Sequence, residues 1–300
     1  MRMPGSCLVA GLVVLAVARA APAGDAPGAF APYEDLLEVL ADLTWHLRDD
    51  VYRFPPPKDP TGHDVYRLSL HRLENWETRY PGRLRDVTGF ARAEALERLG
   101  EFRKADDAYG QVAKLSSPLA VRAREAEART RSFAEAAALP ETGPDLDAAL
   151  AALRRKLDAF GALVDRYDGT PYQALARVEE ERLECETARL VVQNRRLIAD
   201  GDAAAERALR FLVEKHADSK DLPDHILRLG DLYADFARDY VHQHERPLDF
   251  EEDEFIRRAD RALDVYRKVA TWDGASEKPE AQGRFASLEA FKTATLGRYR

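Results

Sequence analysis

The sequence predicts an all-α fold, a solenoid of stacked helical hairpins, and three observations predict it. Apolar residues recur at helical spacing, as in Leu36, Leu40, Leu43 and Leu47, which fall on one helix face. No run of alternating β-branched residues marks a strand. Turn-forming residues interrupt the helical stretches at Phe54-Pro55-Pro56-Pro57, Tyr80-Pro81-Gly82, Ser117-Pro118, Pro140 to Pro144, Asp168 to Pro171 and Asp200-Gly201. Helices are therefore expected over 33–52, 62–79, 84–99, 102–115, 119–138, 145–167, 172–199, 203–216, 222–243, 252–271 and 278–297.

The N-terminal residues 1–23 have the layout of a secretory signal peptide. Arg2 supplies the positive start, Leu8 to Ala18 the apolar run, and Ala18-Arg19-Ala20 and Ala21-Pro22-Ala23 two small-residue cleavage patterns. A membrane anchor is the competing reading, but the run is shorter than the roughly 20 residues that span a bilayer. Cys7 precedes the apolar run rather than following it, so no lipid anchor is expected. The product is expected to be periplasmic or secreted.

Residues 24–61 are read as an N-terminal helix and a proline-rich linker. Pro55-Pro56-Pro57-Lys58-Asp59-Pro60 should be extended and stiff, either a spacer or a docking strand. Residues 62–300 are read as the helical repeat domain. Within it one spacing recurs: an apolar residue, another three later, and a ring four beyond that, next to a turn. Leu73, Trp76 and Tyr80 follow it, as do Phe160, Leu163 and Tyr167, and Leu209, Leu212 and His216. Shorter versions are Tyr109 with Val112 and Tyr266 with Val269. The first two positions share a helix face, and the ring closes the last turn where the chain reverses. One hairpin cannot bury its own apolar face, so such units must stack.

Leu99-Gly100-Glu101-Phe102, Ala105, Tyr109 and Pro118, with Ala93 and Leu96 upstream, resemble the tetratricopeptide pattern of small turn, tight-contact alanine, aromatic and closing proline. Leu209 to Asp239 is similar to the variant in Gram-negative envelope proteins, the Tol-Pal-associated coordinator family and the tetratricopeptide lipoproteins of outer-membrane assembly. Lys215-His216-Ala217-Asp218-Ser219 fills the place of that variant's turn, with Ala217 where its proline stands. Arg228-Leu229-Gly230-Asp231-Leu232-Tyr233 fills the helix that follows. The resemblance spans about 65 to 275, and the long Leu119–Ala138 and Tyr172–Ala199 helices depart from the family's roughly 34-residue unit. It implies a right-handed superhelix of hairpins and a periplasmic scaffold that binds a protein or peptide of the cell envelope.

Composition narrows the partners. The chain carries 53 acids against 45 bases, and removing Arg2 and Arg19 with the signal leaves a net charge near −10. Nucleic acid and anionic membrane surfaces need a basic patch and are not expected. Cys185 is the one cysteine after the signal, so no intrachain disulfide is expected, and its helical setting suits a small core residue.

No hydrolase elbow, zinc-protease helix, phosphate loop or dinucleotide fingerprint occurs. No catalytic, cofactor-binding or metal-ligating residue is singled out, and no cofactor is expected. His242 and His244 point about 200° apart if helical and could meet only in a loop with Glu245. His63 and His71 are too far apart to share an ion, His216 closes a helix, and His46 and His225 have no evident partner. Asp249 to Glu254 reads as an acidic helix start, and Glu179-Glu180-Glu181 as a solvated helix face. Trp45, Trp76 and Trp272 are expected in the core, with a partner groove as the other reading. Two further functional classes stay open: an α/α-toroid enzyme or accessory acting on envelope glycans, and a self-assembling structural oligomer.

Overall fold

Amphipathic stretches separated by glycine, proline and aspartate leave the chain one way to bury its apolar stripes: helix against helix. A computed structural model describes residues 31–48, 62–246 and 248–299. The expected signal peptide, the proline run and the end of the first expected helix lie outside the described residues. All regular secondary structure among the described residues is helical, with no strand. In chain order the helices are α1 (Ala31–Arg48), α2 (Asp64–Arg79), α3 (Arg85–Arg98), α4 (Phe102–Ala113), α5 (Ala120–Ala137) and α6 (Leu146–Arg166). They continue as α7 (Pro171–Gln193), α8 (Gly201–Lys215), α9 (Leu222–Gln243), α10 (Glu252–Ala270) and α11 (Lys278–Tyr299). No helix among the described residues is long and apolar enough to cross a membrane.

The chain divides into two units, one of Met1–Leu139 with Ala159–Ala176, the other of Pro140–Asp158 with Arg177–Arg300. In the first, α1 to α5 each pack on their sequence neighbours, and α3 also touches α1 and α5. Its core runs through Leu36, Leu43, Leu73, Phe90, Ala105 and Tyr109. Trp76 ties α2 to the start of α1 by donating its indole N–H to the Pro32 carbonyl at 2.8 Å. In the second unit α8 packs on α9, α9 on α10 and α10 on α11. Leu209, Leu227, Leu232, Leu263, Tyr266 and Val269 hold that core.

The recurring spacing is where burial concentrates. Leu73, Trp76, Phe160, Leu163, Leu209 and Leu212 are buried, as are Tyr109, Val112, Tyr266 and Val269. These pairs sit near the C-terminal ends of α2, α6, α8, α4 and α10, the second helix of each hairpin. Tyr80 stands at the C-cap of α2 with its ring 5.3 Å from that of Trp76, and His216 stands at the C-cap of α8.

Turn chemistry explains the boundaries. Gly100 has φ 73° and closes α3 in a left-handed cap, its N–H reaching the Glu97 carbonyl while the Glu101 N–H reaches Leu96. α7 ends at Gln193, six residues before the expected 199. The Asn194 side chain and backbone N–H both donate to the Leu190 carbonyl, and Asp200 adopts a left-handed φ of 50°. α8 then starts on Gly201, where a Cβ would lie 1.7 Å from the Arg195 carbonyl oxygen. Only glycine admits that crossing.

Candidate functional site

In the first unit, α3, α5 and the first turn of α7 place charged and aromatic side chains in one row. Glu94 and Glu97 lie one turn apart on α3, Arg122 and Arg129 two turns apart on α5, and Tyr172 begins α7. Arg122 stands over the Phe90 ring, 5.2 Å from its centre, and Arg129 over Tyr172 at 3.6 Å.

Glu97 is the anchor. Its carboxylate accepts from Tyr109 Oη at 3.0 Å, from Arg129 Nε and Nη2 at 2.9 Å each, and from Thr130 Oγ1 at 3.1 Å. The Glu97 and Arg129 side chains are 4% and 13% exposed, so this is a buried two-pronged pair. Burial works against the Arg129 charge, and the Glu97 hydrogen bonds more than restore it, so the guanidinium stays firmly protonated. Burial and the nearby glutamates push the Tyr109 hydroxyl well above its ordinary range.

Glu94 differs. Burial pushes its carboxyl up to about 7, with Arg122 opposing and Glu97 reinforcing the rise. The row therefore carries a carboxyl that changes charge near neutrality beside a guanidinium stacked on an aromatic ring. Arginine and aromatic side chains of this kind anchor partner proteins, and a near-neutral carboxyl can give or take a proton.

No protein-family model matches the chain, and no curated protein matches it.

The second unit holds a cluster that sequence reasoning did not assemble. Glu184 meets His216 Nε2 at 2.6 Å and Lys215 Nζ at 2.6 Å, while Glu181 meets His225 Nε2 at 2.6 Å. His216 Nδ1 lies 3.9 Å from Glu181, so the side chains form a chain, carboxylate to imidazole to carboxylate to imidazole, rather than a cage around one point. Burial works to raise Glu181, but hydrogen bonds from His225 and Ser219 outweigh it and hold the carboxyl below its ordinary value. The expected solvated face at Glu179-Glu180-Glu181 is corrected here, since Glu180 and Glu181 turn inward against α8 and α9. Glu184, one turn past Glu181, was the available signal, because it repeats that charge on the same face.

Trp76 is buried, but Trp45 is 67% exposed and Trp272 39% exposed, so two of the three tryptophans lie outside the core. Glu252, Asp253 and Glu254 form the first turn of α10, at the positive end of its dipole. His244 stacks on Tyr240 with ring centres 4.2 Å apart and meets the Tyr240 carbonyl through Nδ1. Cys185 is half-buried, and burial raises its thiol, which disfavours the reactive thiolate.

Proposed function

We propose that this protein is a non-catalytic interaction scaffold of the bacterial cell envelope, exported to the periplasm or beyond, which binds a protein or peptide through the α3–α5–α7 row. The observation that carries the reading is the half-buried pair Arg122 and Tyr172, held against Phe90 and Arg129 of the core, beside the half-buried Glu94. Hot spots of protein interfaces are built from such partly desolvated arginine and aromatic anchors. The export-type N-terminus, the tetratricopeptide resemblance and the lack of a catalytic motif in the sequence support the same reading. The test is affinity purification of the processed protein from its own envelope fraction, in parallel with Arg122→Ala. A partner retained by the wild type and lost by the variant supports the proposal. Equal retention would move binding to another face, and no partner at all would remove the scaffold.

One observation favours the enzyme class. Glu94 and Glu97 are two carboxyl groups one turn apart, and the Glu94 carboxyl is raised to about 7. Glu97 already accepts four hydrogen bonds, which leaves it little capacity for a base or nucleophile role. Glycan hydrolysis abolished by Glu94→Gln would nevertheless establish the enzyme.

A further inference from the structure

Apart from the α3–α5–α7 row, the first unit carries a second surface, where the end of α2, the start of α3 and the length of α4 border an open groove of about 620 Å³. Its floor is apolar, formed by Leu96, Ala108, Val112 and Leu115. Its rim is basic. Arg83 and Arg85 are exposed, and neither meets a carboxylate within ion-pair distance among the described residues. Arg92 is shared with Glu74 and Glu77, and Lys104 with Glu101. Asp107 is the counter-charge on the α4 side.

Two unpaired guanidiniums flank this apolar floor in a chain with 53 acids against 45 bases. Arg131, Arg182, Arg189 and Arg261 each have a glutamate to hand, while other exposed arginines such as Arg154 and Arg177 have none among the described residues. Arg83 and Arg85 differ in lining one groove together. No carboxylate among the described residues lies within ion-pair distance of Arg83 or Arg85, so a carboxylate brought by a partner meets donors that displace no internal pair. The contact is local, well inside the roughly 8–10 Å screening length of physiological salt, whereas the net negative charge acts from further away.

We propose that this groove binds an extended acidic segment of a partner protein, with its carboxylates on Arg83 and Arg85 and one apolar side chain over Leu96 and Leu115. The surface is separate from the row containing Arg122, so the two proposals fail independently. The probe is an acetylated, fluorophore-labelled decapeptide of glutamates with one central leucine, titrated by anisotropy against the processed full-length protein. Saturable binding is expected at low salt, weakening as salt rises. The double variant Arg83→Glu with Arg85→Glu should weaken it about tenfold or more, because like charges would then face one another. Arg122→Ala should leave it unchanged. Both arginines are exposed, so the double variant should keep the wild-type circular dichroism and thermal midpoint. Absent saturable binding, or equal binding by the charge-reversed variant, would overturn the proposal. So would a single-stranded oligonucleotide or an anionic glycan binding as tightly as the peptide, which would make the groove a general polyanion site.

Discussion

The hairpin α3/α4 in the first unit and the hairpin α9/α10 in the second are built on the same three-residue device, yet differ in how much it should matter. In each, a tyrosine on the second helix donates to an acid on the first, and an arginine from the following helix pairs with that acid. Tyr109, Glu97 and Arg129 form one set, at 3.0 Å and 2.9 Å. Tyr266, Asp231 and Arg284 form the other, at 2.7 Å and 2.9 Å. The distances are alike, but the surroundings are not: the Glu97 side chain is 4% exposed and Asp231 43%. In the second set water competes for the same groups, so the pair adds little. In the first it cannot, and losing one partner strands the other charge in the core.

The largest expected effect tests that contrast directly. Glu97→Ala leaves the Arg129 guanidinium buried without its anion and should cost about 3–5 kcal/mol in urea or thermal unfolding. A loss below about 1 kcal/mol would show that the core relaxes around the stranded charge and would break the comparison.

Glu94 sharpens it through pH. Its folded-state value, about 7, lies above its ordinary 4.5, so the folded protein holds a proton that the unfolded chain has released. Stability from this group is therefore fully present below about 4.5 and is lost as pH rises through 7. Glu94→Gln should remove that slope and raise stability at pH 8 by about 1–3 kcal/mol. An unchanged pH profile of the thermal midpoint would show that the carboxyl is solvated.

The two hairpins also use glycine alike. A Cβ on Gly89 would stand 2.8 Å from one Val112 methyl, and a Cβ on Gly230 2.7 Å and 2.9 Å from two ring atoms of Tyr266. Val112 can turn that methyl away about its Cα–Cβ bond, whereas the packed Tyr266 ring would have to shift as a whole. Gly230→Ala should cost about 1–2 kcal/mol net, while Gly89→Ala should come near neutral once the helix-forming gain of about 1 kcal/mol offsets the contact. Equal thermal midpoints for the two variants would remove this distinction.

The smallest expected effect belongs to Arg284→Ala. It breaks the exposed counterpart of the Glu97 pair and should cost no more than about 1 kcal/mol. A larger loss, measured beside Glu97→Ala, would mean that exposure does not separate the two devices.

Much of the fold was legible because helical periodicity and turn residues are local properties. The spacing that joins Leu209, Leu212 and His216 marked the end of α8 before any neighbour was known, and Gly100 marked the end of α3. The end of α7 was not legible, because its arrest depends on Asn194 capturing the Leu190 carbonyl and on the crossing at Gly201. The candidate site was hardly legible at all. Glu94 and Glu97 look like ordinary helix-surface glutamates in sequence, and only Arg122, Arg129 and Tyr109, brought from other helices, separate their roles. His216 and His225 showed no sign of meeting Glu184 and Glu181, which lie 32 and 44 residues away along the chain.

By itself the sequence determined that the described residues fold into helices, where most helices stop, and where their apolar stripes lie, because propensity, capping and period act over a few residues. The tertiary structure alone decided which charges are buried, which tryptophans reach solvent, and which arginines are left without an acid. Those outcomes depend on the dielectric and the partners that distant helices supply, and no local pattern encodes them.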